Sequence, residues 1–201
     1  MLNLLSAGLS NPGKDYRSYR WFFTSEGKLV VGGKSDEQNE EIVRNFLRPN
    51  YIIMHTSLPG SPFMIIQEDN PSKKDLRETA IFTAAFSKQW KNGNKNIEID
   101  IFKASQIYKT KAMKIGTFGV KGEKETIKVK PELVLIIQKG KIKAVPFNGK
   151  EKILAKIKPG KLTKEQAAEK IAKIMRNKFH LPTHKDEVMQ AIPSDKIDVK
   201  N

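Results

Sequence analysis

The run from Tyr16 to Leu47, YRSYRWFFTSEGKLVVGGKSDEQNEEIVRNFL, leaves the backbone little choice. Tyr19, Trp21 and Phe23 alternate with Arg20, Phe22 and Thr24, the period of a half-buried strand, because successive side chains of an extended chain point to opposite faces. Ser25-Glu26-Gly27-Lys28 follows, and its glycine can supply the positive φ of a tight hairpin whose return strand is Leu29-Val30-Val31. Gly32-Gly33 ends that strand. Ser35 and Gln38 have the spacing of a capping box, which predicts a helix carrying Ile42, Val43, Phe46 and Leu47 inward and stopping before Pro49. The two glycines have two readings. They make a tight strand-to-helix connection, or they let bare backbone approach an anion held by the free N–H groups of the first helical turn, with Lys34 beside it.

Downstream, Tyr51 to Thr56 reads as a buried strand, Leu58-Pro59-Gly60-Ser61-Pro62 breaks it, and Phe63 to Gln67 supplies the next. Ser72 caps a helix predicted over Lys73 to Lys91 and ended by Gly93, with Phe82, Phe86 and Trp90 as a stripe at four-residue spacing. Such a stripe is ordinarily core, but Trp90 near the helix end, beside Lys88 and Lys91, is a candidate half-exposed indole. Ile97, Ile99 and Ile101 alternate with Glu98 and Asp100. Strands are expected at Thr117–Lys121, Thr126–Lys130, Glu132–Gln138 and Ile142–Phe147, then, after the hairpin signal Asn148-Gly149, through Ile157. Thr163 and Gln166 open an amphipathic helix with Ala167, Ile171, Ile174 and Met175 inside. A short helix from Thr183 and a tail at Ile197–Val199 close the chain. Strands and helices alternate without a regular βαβ period, so the expected fold is α+β, a mostly antiparallel sheet with helices packed on it in a single domain. The loop Lys109–Lys114 is its expected mobile part.

The series YRWFFTSEGKLVVGGK, then NEEIV, then a strand ending in His55 with Gly60-Ser61 after it, resembles the NFACT RNA-binding domain (NFACT-R). Ala84 to Trp90 resembles that family's helix ending in serine-lysine-x-tryptophan, and Gln106 to Thr110 its "QVSKT" turn. Gly116 to Gly122 resembles its glycine-small-phenylalanine strand, and Asp186-Glu187-Val188 to Ile192-Pro193 its closing helix and proline. The family usually carries an acid and often a histidine in the loop where this chain has Ser57 and Pro59, a departure at those side chains. The resemblance runs over roughly residues 16 to 198. It implies an RNA-binding module of translation. Larger proteins with this domain are ribosome-associated quality-control factors that engage the large subunit and tRNA. At 201 residues the chain has no room for their other domains, so the expectation is a stand-alone module acting alone or beside a separately encoded partner.

Charge points the same way. Formal net charge is +15 with lysines outnumbering arginines 31 to 6. Between Lys103 and Lys164 there are seventeen lysines against four acids, Glu123, Glu125, Glu132 and Glu151, which puts 13 of the 15 net charges in that part. Such a surface attracts polyanions, and lysine contacts phosphate as a point charge rather than reading bases with a planar fork. With no cysteine there are no disulfides, thiol nucleophiles or thiolate metal sites, and a reducing, cytoplasmic setting is expected. Met1–Gly13 lacks the pattern of a secretory leader and no later segment approaches a membrane span, so no membrane partner is expected.

Chemistry other than binding finds little support. Gly116, Gly119 and Gly122 lack the spacing of phosphate-binding loops, and Gly116-Thr117-Phe118-Gly119 lacks the flanking helices of a KH clamp. His180 and His184 are four apart, but Pro182 interrupts them. His55 near Gly60-Ser61 is the one place for an RNA-processing enzyme, and no acid stands near it in sequence. The expected function is therefore RNA binding without catalysis, cofactor or metal, to tRNA or large-subunit rRNA, by a domain over residues 16–201 behind an extension of residues 1–15. An adaptor whose basic face meets an acidic protein is the third reading. The candidate RNA contacts are Arg20, Gly32, Gly33, Lys34, His55, Gly60, Ser61, Lys88, Trp90, Lys109, Lys111, Lys114 and Lys121, with Tyr19, Trp21 and Tyr108 as further stacking candidates.

Overall fold

The computed structural model describes residues 15–147, 149 and 151–200. The extension expected at residues 1–15 lies, but for Asp15, outside them, as does Asn148 of the hairpin signal. The fold is α+β, two large antiparallel sheets and a two-stranded ribbon, with helices between and around the sheets.

The first sheet has six strands in the order β1-β2-β4-β3-β5-β8. β1 (Arg20–Phe23) and β2 (Leu29–Gly32) form the expected hairpin, with Trp21 opposite Val31 and Gly27 at φ 81° in the turn. β3 (Ile52–Thr56), β4 (Met64–Ile66), β5 (Ile97–Lys103) and β8 (Glu125–Val129) complete it. Its near-continuous isoleucines are explained by burial on both sides. Val31, Ile53, Ile65 and Phe102 face α1 (Asp36–Phe46), whose Ile42, Val43 and Phe46 cover them. Val30, Met54, Met64, Ile66 and Ile99 face α2 (Lys73–Ala85) through Ala80, Phe82 and Ala84.

The second sheet orders β10 (Lys141–Val145), β9 (Leu133–Gln138), β11 (Ala155–Leu162) and β12 (Ile197–Lys200). Leu133, Leu135, Ile142, Ala144 and Ile157 pack on α4 (Lys164–Phe179) and α5 (Lys185–Ala191), while Val134, Ile136 and Val145 join the core of the first sheet. Cross-strand register then places Lys141, Lys143, Lys156, Lys158 and Lys200 on the same face as Val134 and Ile136. A two-stranded ribbon, β6 (Ile107–Tyr108) with β7 (Gly119–Val120), brackets the loop between.

The predicted helix 73–91 is two helices. Ser87 breaks it: its hydroxyl donates to the Ala84 carbonyl at 2.7 Å and accepts from Gln89 N–H at 3.1 Å, capping a new turn, α3 (Lys88–Lys91). The new axis turns Trp90 into the second core, where it is 0% exposed. Trp90 is therefore no stacking platform, because a hydrophobic stripe at four-residue spacing cannot report that the axis changes within it. The two glycines at the end of β2 also resolve. A Cβ on Gly33 would lie 2.3 Å from Asn39 Oδ1, and one on Gly32 would lie 2.1 Å from Met64 Sδ, so both are required by close packing. Gly116, at φ 74°, sits against the backbone of Asp36 in the same way. Among the described residues no helix is long and apolar enough to cross a membrane.

Candidate nucleic-acid interface

The sequence-derived candidates divide between two concavities. The first lies where the edge of the hairpin meets the second sheet. Among the described residues β1 is the edge strand, and the Gln138 carboxamide closes that edge, accepting from Phe23 N–H at 2.8 Å and donating to the Phe23 carbonyl at 2.9 Å. Beside this junction the alternation Lys-Ile-Lys-Ala-Val of β10 sends Ile142 and Ala144 to the helices and Lys141 and Lys143 the other way, toward the hairpin. The result is a cleft of about 660 Å³ whose wall includes Arg17, Arg20, Lys34, Lys141, Lys143 and Lys164. The one carboxylate among its lining residues is Glu187.

Geometry within the cleft is specific. Lys143 Nζ stands 3.9 Å over the centroid of the Trp21 ring, and the Arg20 guanidinium stands 4.6 Å over that of Phe86. Lys34 Nζ donates to the Ser18 carbonyl at 2.7 Å. Arg20 Nε is buried and finds no hydrogen-bond partner among the described residues. Burial, and then the charges of Lys34 and Arg20, push Lys143 down to about 8. Burial pushes Arg20 down to about 10. Lys34 is lowered by burial and by Arg20, and Lys164 by burial and by Arg20 with partial relief from Asp195. Arg20 and Lys34 were legible as candidates. Lys141, Lys143 and Lys164 join them only through the fold, and the sign of it in the sequence is the alternation of Lys141 and Lys143 with Ile142 and Ala144.

The second concavity, about 470 Å³, holds His55, Gly60 and Ser61 at the C-terminal end of β3, facing Asp100 on β5. Antiparallel register thus supplies the acid that local sequence lacked, but it is committed elsewhere. Asp100 accepts from Ser57 Oγ at 2.6 Å, from Thr126 Oγ1 at 2.9 Å and from the Lys124 ammonium. Burial raises its pKa, and the hydrogen bonds from Lys124, Ser57 and Thr126 outweigh that and hold it below the ordinary value. The His55 ring lies 5.0 Å from Phe63, and its Nδ1 donates to the Thr56 carbonyl at 2.7 Å. Burial lowers its pKa despite that carbonyl and the charge of Asp100, which keeps the imidazole neutral near pH 7. Ser61 Oγ accepts from Thr56 N–H at 2.9 Å and is part of the turn. The Ser57 hydroxyl is thus engaged with Asp100 and the Ser61 hydroxyl with the Thr56 N–H.

The remaining lysines differ among themselves. Lys109 ion-pairs with Glu40, donates to the carbonyls of Lys114 at 3.1 Å and Thr117 at 3.4 Å, and stands over Phe118, leaving its side chain 13% exposed. It clamps the loop 109–118 onto α1, so its reading as a phosphate contact is replaced by a structural one. Lys88, Lys111, Lys114 and Lys121 are exposed, with the Lys88 N–H donating to the Gly60 carbonyl and Lys121 Nζ 5.2 Å from the Tyr108 ring centroid. Tyr19 and Trp21 are buried and Tyr108 half-buried, which leaves no fully presented stacking ring among them.

Residues 18–122 match the family described as the NFACT protein RNA binding domain. The resemblance drawn above for residues 186–193 lies outside that stretch. The archaeal Rqc2 homolog aRqcH of Methanocaldococcus jannaschii is 32% identical over 117 residues, 55% of this chain and 17% of that protein. The ribosome quality control complex subunit NEMF homolog of Drosophila melanogaster is 33% identical over 78 residues, 37% of this chain and 8% of that one. The chain therefore spans less than a fifth of the length of these curated relatives. Among solved structures, the C-terminal part of the fibronectin/fibrinogen-binding protein from Streptococcus suis superposes with a TM-score of 0.51 at 22% identity, over 56% of this chain and 45% of that one. That likeness concerns the fold alone.

Proposed function

Since the chain belongs to the NFACT RNA-binding domain family, we propose that it binds RNA in ribosome quality control, gripping the phosphate backbone of tRNA or large-subunit rRNA through its lysine-rich surface. The observation that carries the reading is the family match over residues 18–122 in a chain of net charge +15. Ribosome quality control enters through the names of the relatives, and the activities of those much longer proteins are not assigned to this chain. Lysine predominance favours backbone contact over base reading. The commitments of His55, Ser57 and Asp100 to one another's turns and strands favour binding over bond cleavage.

Binding of labelled tRNA and of rRNA fragments across a salt series tests this. For contacts to Z phosphates of a single strand, log K falls with log salt at a slope of about −0.7Z, somewhat steeper for duplex, so several contacts give a slope of several units. Absence of binding at low salt, with a protein co-purifying instead, would transfer the reading to an adaptor. Time-dependent tRNA cleavage that disappears in His55→Ala would transfer it to an RNA-processing enzyme.

A further inference from the structure

We propose that the cleft between the hairpin and the second sheet is a seat for one phosphate group of the bound RNA strand, held jointly by Arg20 and Lys34 from the hairpin side and Lys143 from β10. The inference rests on the RNA-binding reading but goes beyond it. It assigns a site, and it draws one of the three cations of that site, Lys143, from residues 123–200, outside the family match.

Three features of the cleft converge on an anion. Folding brings six cations to one lining with a single carboxylate, although 22 acids were available to the chain to neutralise them. Removing cations from water with too few counter-charges is unfavourable, and Glu187 in the lining and Asp195 beside Lys164 leave an excess of positive charge, so further negative charge is what the arrangement lacks. The cations are also held in place. Lys143 is steadied over Trp21, Arg20 over Phe86, and Lys34 by the Ser18 carbonyl, so the entropy of ordering them is already spent before a ligand arrives. Finally, Arg20 keeps a buried N–H without an acceptor. A guanidinium fork with an unused donor, flanked by two ammonium groups, matches the oxygens of a phosphate.

The surroundings discriminate against other ligands. Trp21 is 4% exposed with Lys143 over its face, so the aromatic wall does not offer a stacking surface for a base. At about 660 Å³ the cleft holds a phosphate with its flanking riboses. The depressed pKa of Lys143 agrees with this geometry, since Lys34 and Arg20 contribute to it and an incoming anion reverses that contribution. The charged groups that share the cleft lining with Lys143 are Arg20 and Arg17 of the hairpin side, Lys34, Lys141 on its own strand, Lys164 at the start of α4 and Glu187 of α5.

The test compares the intact chain with Lys143→Met and Lys34→Gln. Lys173→Met, on the exposed face of α4, is a control of equal charge. Each protein is titrated with labelled tRNA over a salt series, and separately with inorganic pyrophosphate while tryptophan emission is followed. The expected result is a loss of about tenfold or more in RNA affinity for each cleft variant, with a salt slope lower by about one, and no change for Lys173→Met. Pyrophosphate should perturb emission in the wild type and not in Lys143→Met. If wild type binds RNA and both cleft variants bind it equally with unchanged slope, the seat is refuted while RNA binding stands. If wild type binds no RNA yet pyrophosphate shifts emission in wild type alone, RNA binding fails and the seat survives for a small phosphate. Silence in both titrations overturns both.

Discussion

Replacing Lys143 by methionine should strengthen the fold at neutral pH while weakening RNA binding. The pKa of Lys143 falls from an ordinary 10.5 to about 8 through burial and the charges of Lys34 and Arg20. At about 1.4 kcal/mol per tenfold change in proton affinity, that gap corresponds to about 3 kcal/mol of stability withheld by the charged group. Solvent at the open rim and an effective dielectric near 20 reduce it to about 2 kcal/mol. Methionine keeps most of the stem's packing and forfeits the cation over Trp21, a loss of about 1 kcal/mol. The net is a gain of about 1 kcal/mol, or a rise of about 2–4 °C in Tm for a chain of this size.

The pH dependence has a definite sign. Below about 8 both folded and unfolded chains hold the proton and the full penalty is present. Between about 8 and 10.5 the folded state has released it and the unfolded state has not, so wild-type stability rises through that window. The advantage of Lys143→Met should therefore be constant below pH 8 and fade above it, as read by thermal melts from pH 6.5 to 10. RNA affinity should drop about tenfold in the same variant at pH 7. A Tm that falls, together with undiminished RNA binding, would refute the reasoning, because Lys143 would then be an ordinary packed lysine.

Other perturbations separate structural from interfacial residues. Lys109→Met should cost about 1–3 kcal/mol in urea unfolding, since it leaves Glu40 with the Gly116 N–H but without its cation and frees the loop carbonyls, and should leave the RNA salt slope unchanged. Lys111→Ala, an exposed change, should leave stability unchanged and lower the slope by about one if that loop touches RNA, and an unchanged slope removes it from the footprint. Gly33→Ala drives a Cβ into Asn39 Oδ1, which accepts from Phe63 N–H, and should cost about 1–3 kcal/mol, with wild-type stability as the contrary result. Because burial lowers the pKa of folded His55 below its unfolded value of about 6.5, stability should be intact above that pH and lost as pH falls through it. His55→Gln should flatten the acid limb of a Tm–pH curve, and an unaltered limb would mean the proton is taken up elsewhere.

Local physics was legible in the sequence and tertiary partnership was not. The hairpin and the capping residues Ser35, Ser72 and Thr163 each follow from close neighbours in sequence, and the structure keeps them, whereas the alternation in β5 holds only at Glu98, because Asp100 is buried by its partners from neighbouring elements. One local detail differs at α1: the Gln38 carboxamide accepts from Lys34 N–H at 3.0 Å instead of closing the box on Ser35. What failed involved distant residues or a change of axis. Asp100 meets His55 only through strand register, and Glu40 captures Lys109 from 69 residues away. Ser87 redirects a helix whose apolar stripe reads straight through it. The basic face was expected from lysine density alone, yet its cleft depends on Gln138 docking the second sheet against the edge of β1, a contact 115 residues apart.

That contact also explains why the repulsion is tolerated. Arg20 and Lys143 belong to strands buried by cores of their own: Phe22 and Val30 on one side, Ile142 and Ala144 on the other. Apolar burial of that extent contributes several kcal/mol on each side, at about 1.5–3 kcal/mol per large side chain, against a penalty of about 2 kcal/mol at Lys143. The fold can therefore hold like charges together without neutralising them. A selection for stability alone would have replaced Lys143 with an apolar or acidic residue, since either removes the penalty. A lysine over Trp21 held at a cost to stability, beside an arginine with an unused donor, is what the proposed phosphate seat would account for. It also places the two halves of the molecule under one ligand: an anion bridging Arg20, Lys34 and Lys143 would tie the hairpin to the second sheet at the edge where Gln138 hydrogen-bonds to Phe23.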